Sequence, residues 1–194
     1  MSYLSNFISL KEYIPSGSPE IHHFEKKSKE IKIEKDNQVV VENLWISVDP
    51  YMRARMTEKK NYKAPYKLGE PMEGACIGKI IESNSNDFSI GEIVSSQYGW
   101  RDKYLCNSNS LKKINSENIP LEKYLGPLGM TGHTAYIGLF KIGNLKKGQT
   151  VLVSSAAGSV GSTVCQIAKI LGCTVIASTG SDEKVDWLKN ELKV

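Results

Sequence analysis

The order of short segments after residue 149 constrains the fold more than any other feature of the sequence. An apolar run, residues 151–153 (VLV), is followed by a turn that contains glycine and then by a segment with helical periodicity. The apolar side chains that share one face of this segment are Val160, Val164, Ile167, Ala168 and Leu171. Gly172 is placed to end the helix, and a second apolar run, residues 173–177 (CTVIA), follows it. This order predicts the opening of a parallel β-α-β sheet.

A further helix is predicted to begin after Ser181, which is a suitable N-cap residue. Only two strands fit between Thr150 and Val194, whereas a doubly wound dinucleotide-binding sheet has about six. We therefore expect the sequence to end before such a domain is complete, with roughly a third of it present.

The turn itself indicates a phosphate site. It reads A-A-G-S-V-G, with Ala156 at the first glycine position of the G-x-G-x-x-G dinucleotide fingerprint. Gly158 would let the backbone approach a pyrophosphate, and Gly161 would let the helix pack closely on the strand. The amides near Ser159 and Val160 would face the phosphate from the positive end of the helix dipole. The alternative is an ordinary turn between a strand and a helix.

The end of the second strand indicates which cofactor is preferred. In NAD-binding proteins an Asp or Glu about 20 residues past the glycines bonds the ribose hydroxyls. Residues 178–181 (STGS) carry no carboxylate, and Lys184 follows one turn later. A 2′-phosphate would be accepted there, so the sequence favours NADPH. Taken alone, Lys184 is better interpreted as a plain surface lysine.

The N-terminal part has a different pattern. Between residues 38 and 111, short apolar runs alternate with turn residues, as is typical of a compact, mostly β domain. The runs are residues 39–41, 44–46, 74–81 and 93–105. Residues 25–36 mix Lys with Glu and predict a solvated surface. Apolar residues at helical spacing in 121–142 predict a helical connector.

Composition excludes several classes of function. The net charge is +4, and 25 basic residues are scattered among 21 acidic ones, which gives no reason to expect a nucleic-acid partner. No apolar run is long enough for a membrane span, and the N-terminus lacks a secretory pattern. We expect a cytoplasmic protein with reduced, widely spaced cysteines, of which Cys165 and Cys173 are expected to be buried.

Several longer motifs carry a family resemblance. They are DPYMRARM at residues 49–56, MEGA at 72–75, GW at 99–100, GPLGMTGHTAY at 126–136 and GSDEK at 180–184. In this order they resemble the zinc-independent medium-chain dehydrogenases/reductases, which include prostaglandin reductases, alkenal double-bond reductases and curcumin reductase. The resemblance covers nearly the whole chain.

The resemblance implies an α/β protein with a GroES-like mostly-β domain followed by the first βαβα part of a Rossmann domain, with NADPH between the two. The implied boundaries are residues 1–122 for the GroES-like substrate domain, 123–149 for the helical connector and 150–194 for the partial Rossmann domain. Members reduce the carbon–carbon double bond of α,β-unsaturated aldehydes and ketones. Family chains continue further, so we expect a C-terminal truncation here. The family also implies a homodimer.

The resemblance also assigns roles to individual residues. The implied contacts are Gly158, Ser159, Val160 and Gly161 for the pyrophosphate, Gly180 and Lys184 for the 2′-phosphate, Met130 and Thr134 for the nicotinamide, and Tyr51 for the substrate. Tyr51 could instead be a packing aromatic at the edge of the β domain.

The histidines give no sign of a catalytic metal. His22, His23 and His133 have no cysteine or carboxylate partner at ligand spacing, and residues 71–74 (PMEG) replace the Gly-His-Glu of zinc-dependent relatives. We therefore predict no metal site. Two further functions stay open: a zinc-independent quinone reductase, and a non-catalytic truncated fragment.

Overall fold

The chain folds into two compact units. The computed structural model describes residues 1–59, 61–115 and 118–194. The first unit is Met1–Leu121 and the second is Glu122–Val194. The first is built from antiparallel strands and the second from helices and parallel strands. This confirms the predicted order of a mostly-β part followed by a β-α-β-α part.

The first unit contains a hairpin and a five-stranded sheet. The hairpin pairs β1 (Ser2–Leu10) with β2 (Phe24–Lys32), and a 3-10 helix, Ile21–His23, precedes β2. The sheet contains β3 (Gln38–Ile46), β4 (Cys76–Ser83), β5 (Ile93–Ser96), β6 (Lys103–Asn107) and β7 (Lys112–Lys113). Its order is β6-β3-β4-β5-β7. A short helix, α1 (Tyr51–Arg55), and a 3-10 helix, Ser108–Ser110, lie in the connections.

The structure divides one predicted run and adds three strands, β1, β2 and the two-residue β7. Residues 93–105 were predicted as one run but form parts of β5 and β6, because the G-W-R-D segment between them turns the chain. Strands β1 and β2 were not predicted. Most side chains of β2 are exposed, so charged residues occupy it without loss of hydration, as expected for residues 25–36.

Two apolar clusters form the core of the first unit. Strand β3 lies inside the sheet, and three successive valines, Val39, Val40 and Val41, are fully buried because both of its faces are covered. The first cluster contains Val39, Val41, Cys76, Ile80, Val94, Tyr104, Cys106 and Leu111. The second contains Leu10, Ile14, Met52, Met56, Tyr66 and Met72.

The second unit opens with helices and continues as the predicted β-α-β-α unit. Its elements are a 3-10 helix (Leu121–Leu125), α2 (Met130–Tyr136), a π-helical segment (Ile137–Ile142), β8 (Thr150–Val153), α3 (Ser159–Ile170), β9 (Thr174–Ala177), α4 (Asp182–Trp187) and a second π-helical segment (Leu188–Leu192). Strands β8 and β9 are parallel and in register from Thr150↔Thr174 to Val153↔Ala177. Gly172 has a φ of 78° just beyond α3, where the sequence predicted the helix end.

The cysteines differ in burial. Cys165 lies within α3 and is fully buried, as expected, whereas Cys173 is half-buried and its thiol donates to the carbonyl of Lys146 at 3.3 Å. The prediction of burial for Cys173 was wrong: the residue precedes β9, and that strand itself contains no fully buried residue. All four cysteines are free thiols.

No helix in the described ranges is both long and apolar enough to cross a membrane.

The packing of α3 yields a stability prediction. A Cβ at Gly161 would overlap the carbonyl oxygen of Ser155 and lie 2.8 Å from Cα of Ala156. Gly→Ala in a helix otherwise stabilises by up to about 1 kcal/mol, but here the added carbon must displace backbone. We expect Gly161→Ala to destabilise the second unit by about 2 kcal/mol, measured as faster hydrogen exchange of the β8 and β9 amides.

Gly138→Ala is the matched control. Gly138 also lies in a helical segment, and a Cβ there would meet nothing within 4 Å. This variant should be as stable as the wild type or slightly more stable. If both substitutions changed the stability equally, the close contact between Gly161 and the backbone of Ser155 would not be what excludes a side chain from position 161.

Candidate functional site

The glycine turn and the loop after β9 meet at one edge of the parallel sheet. The turn follows β8, and Ser155 adopts a left-handed conformation, with a φ of 48°. The amide of Ala156 donates to the carbonyl of Ser178 at 2.9 Å, and the amide of Ser178 donates to that of Val153 at 2.9 Å. Two loops that are distant in sequence are therefore held side by side at the carboxyl ends of the strands, the usual ligand-binding edge of such sheets.

The first amides of α3 are free to bind an anion. The first hydrogen bond of the helix runs from Ser162 N to the carbonyl of Gly158, at 2.8 Å. Within the described part of the chain, the amides of Ser159, Val160 and Gly161 donate to no protein acceptor. They point from the positive end of a 12-residue helix dipole. This arrangement suits the phosphate groups of a dinucleotide.

Gly158 contributes space rather than a donor. Its own amide is already bonded to the carbonyl of Ser155, at 2.9 Å. A Cβ at Gly158 would lie 3.2 Å from that carbonyl oxygen, which is tighter than ordinary contact. The role predicted for Gly158, close approach of the backbone to a pyrophosphate, does not require its N–H and stays a prediction.

The loop after β9 suits a second anionic group. Gly180 is exposed, and a Cβ there would meet nothing within 4 Å. Ser181 is the N-cap residue of α4, as predicted, but its side chain makes no capping hydrogen bond. Lys184 is exposed and forms no ion pair with any described residue. With no carboxylate in residues 178–181, this loop and the free amides of α3 fit NADPH.

Met130 and Thr134 lie on α2, which packs against α3 within the second unit. The Thr134 hydroxyl donates to the carbonyl of Met130 at 2.7 Å, and both residues are exposed. A Cβ at Gly132 would lie 2.9 Å from Cα of Pro127, so this glycine lets α2 begin close to the preceding loop. The predicted contact of Met130 and Thr134 with a nicotinamide stays a prediction.

Tyr51 stands in the first unit, where it opens α1. Its ring packs against the second core cluster, and Lys63 Nζ lies 5.0 Å from the ring centroid. Its hydroxyl has no hydrogen-bond partner among the described residues. Burial raises the pKa of the Tyr51 phenol, the Asp49 carboxylate raises it further, and the Arg55 guanidinium opposes both. Tyr51 is therefore a protonated, available hydrogen-bond donor at neutral pH.

An ion pair between the buried Arg55 and the exposed Glu73 helps to hold the helix that carries Tyr51. Arg55 Nη2 lies 2.8 Å from Glu73 Oε2, and Arg55 Nε donates to the carbonyl of Ala64 at 2.9 Å. The guanidinium stacks 4.0 Å from the Tyr66 ring centroid, and the Tyr66 hydroxyl donates to the carbonyl of Glu73 at 2.8 Å. Burial raises the pKa of Tyr66 to about 12, so this donor also stays protonated.

The sequence alone predicted no role for Arg55 or Glu73. Both residues lie in family motifs, DPYMRARM and MEGA, and only their opposite charges indicated that they could pair. The Arg55 side chain is only 8% exposed whereas that of Glu73 is 59% exposed, so the pair joins a buried cation to a carboxylate at the surface.

Comparison with known proteins agrees with these features. Residues 7–114 match the family described as the N-terminal domain of oxidoreductase. A putative NADP-dependent oxidoreductase of Bacillus subtilis, YfmJ, is 44% identical over 179 residues, which are 92% of this chain and 52% of the relative. A 2-alkenal reductase (NADP(+)-dependent) of Nicotiana tabacum is 42% identical over 189 residues, 95% of this chain and 55% of that protein.

A solved structure also resembles this chain. CurA from Vibrio vulnificus in complex with NADPH superposes with a TM-score of 0.87 at 34% identity, covering 97% of this chain and 56% of that one. The chain thus spans about half the length of these relatives. By its matched N-terminal domain, its motifs and its fold, the chain belongs to the zinc-independent medium-chain dehydrogenase/reductase family.

Proposed function

We propose that this chain is part of an NADPH-dependent reductase of the carbon–carbon double bond in α,β-unsaturated aldehydes and ketones. One observation supports the proposal most: three unpaired amides at the start of α3 lie in the same unit as a neighbouring loop with no carboxylate in residues 178–181. The 2-alkenal reductase among its relatives supports the substrate class.

The residues of the second unit would hold the cofactor. The amides of Ser159, Val160 and Gly161 would bind the pyrophosphate, with room left by Gly158. Gly180 and Lys184 would accept the 2′-phosphate, and Met130 and Thr134 would border the nicotinamide. When bound, NADPH supplies the hydride.

Tyr51 would act on the substrate oxygen. Reduction of an enone places negative charge on the carbonyl oxygen, and a hydrogen-bond donor aimed at that oxygen lowers the barrier. The raised pKa of Tyr51 keeps its hydroxyl protonated, so it serves as a donor and not as a phenolate base. Its ring, packed on the core, limits the positions that the hydroxyl can take.

A cofactor titration followed by an assay tests the proposal. NADPH should raise the melting temperature of the chain, since a ligand that binds only the native state stabilises it. The protein that carries this sequence should then consume NADPH with a simple 2-alkenal. Faster turnover of quinones would favour a quinone reductase, and the absence of any thermal shift would favour a non-catalytic fragment. A cytoplasmic location and a homodimer stay predictions.

Lys184→Gln tests the choice of cofactor. We expect it to weaken NADPH binding about tenfold, because a charge-assisted contact to the 2′-phosphate is lost. NADH binding should be unchanged, since NADH lacks that phosphate. Lys189→Gln removes another exposed lysine of the same unit and should affect neither cofactor. Calorimetric titration of the wild type and both variants measures the dissociation constants for NADPH and NADH, and an equal loss for both cofactors in Lys184→Gln would contradict the assignment.

Tyr51→Phe separates the catalytic role from packing. The ring is kept, so a purely packing residue would tolerate the change, whereas loss of a donor should lower kcat/KM roughly ten- to hundredfold. Because burial raises the Tyr51 pKa above its ordinary value, the ratio of wild type to variant should stay constant up to about pH 9. Tyr3→Phe, which removes a hydroxyl on β1, is the control. Wild-type kcat/KM in the Tyr51 variant would rule out the donor.

A further inference from the structure

The loop between β1 and β2 gathers three side chains that bind metals. One carboxylate oxygen of Glu12 and one ring nitrogen each of His22 and His23 lie within 4.8 Å of one another. Spacing along the sequence gave these histidines no partner, because Glu12 precedes His22 by ten residues. The hairpin brings them together.

The backbone holds this loop in place. Leu10 pairs with Phe24 at the end of the hairpin, and the amide of Lys11 donates to the carbonyl of His23 at 2.8 Å. These contacts set Glu12 beside the 3-10 helix. Ile14 is only 2% exposed, and its amide donates to the carbonyl of Met56 at 2.8 Å, which attaches the loop to the core. The three side chains are thus carried by fixed backbone.

Glu20 orients both imidazoles. Its Oε2 lies 3.4 Å from Nδ1 of His22, and its carbonyl oxygen lies 3.1 Å from Nδ1 of His23. Histidines that bind metals almost always donate the other ring N–H to a carboxylate or a carbonyl. When Nδ1 of His23 donates to the Glu20 carbonyl, the lone pair of its Nε2 is left for a ligand bond.

One competing hydrogen bond belongs to the metal-free form. The amide of Glu20 lies 2.9 Å from Nδ1 of His23 and donates to it when that nitrogen is unprotonated. Metal binding at Nε2 would place the proton on Nδ1, which then donates to the Glu20 carbonyl. The exchange of one hydrogen bond for another makes the change of tautomer inexpensive.

The three side chains are accessible to solvent. The ring centroids of His22 and His23 are 3.9 Å apart, so the two imidazoles lie side by side. His22 and Glu12 are exposed and His23 is half-buried, which leaves the group open to an ion from solution.

We propose that Glu12, His22 and His23 bind a divalent transition-metal ion of the zinc class. Two imidazoles and a carboxylate, with water in the remaining position, form a common ligand set for Zn²⁺. The ion would join the start of the loop to its end. This site is separate from the proposed cofactor and substrate residues, so its failure would leave the reductase proposal intact.

Titration of the chain with Zn²⁺ tests the site. We expect one equivalent to bind and to shift the NMR signals of the His22 and His23 rings, with those of His133 unchanged. Glu12→Gln, His22→Asn and His23→Asn should each weaken binding at least about tenfold. Circular dichroism of each variant confirms that the fold is retained.

Two controls account for the other metal-binding side chains that Zn²⁺ could reach. His133→Asn removes the third histidine, and Cys173→Ser removes the cysteine that is only half-buried. Both variants should bind Zn²⁺ like the wild type. The proposal is overturned if either control abolishes binding, if the three site variants bind normally, or if no saturable binding occurs up to about 1 mM Zn²⁺.

Discussion

The close approach of α3 to the turn before it is the contact on which the candidate cofactor site depends. Gly161 lies against the backbone of Ser155 and Ala156, where no side chain fits. This approach directs the first amides of α3 toward the edge of the sheet. The bond from Ala156 to Ser178 then places the second loop beside them. The approach at Gly161 and the bond from Ala156 to Ser178 together position both anion-binding elements, so the missing side chain of Gly161 matters in addition to its free amide.

In the first unit, the contacts of the buried Arg55 side chain have a comparable structural role. Arg55 ends the helix that Tyr51 begins, and its guanidinium is held by Glu73 and by the face of Tyr66. Gly74 is the next residue after Glu73, and a Cβ at Gly74 would lie 2.5 Å from Cε of Met52. Two motifs that are 16 residues apart at their nearest ends thus form one packed group. The motifs are physically coupled, so a change in one affects the orientation of Tyr51 in the other.

The sequence predicted the second unit well because its signals are local. Val160, Val164 and Ile167 share a helix face, and Gly172 ends the helix at a positive φ, so periodicity and one backbone preference sufficed. The hairpin was missed because the outward side chains of β2 are charged and give no alternating pattern. The pairing of Arg55 with Glu73 and the approach of Glu12 to His22 were missed for another reason. Both depend on tertiary contacts, which spacing along a chain does not encode.

The parallel strands also show how cofactor binding and stability are linked. Helix α3 covers one face of β8 and β9, whereas Leu152 and Ile176, which pair across the opposite face, are 73% and 53% exposed. Parallel strands are ordinarily covered on both faces, and two strands alone contribute little stability. The loops that carry the free amides leave this same small sheet. A dinucleotide bound across both loops would therefore cross-link β8 and β9 at their carboxyl ends, and the binding free energy would add directly to the stability of the second unit.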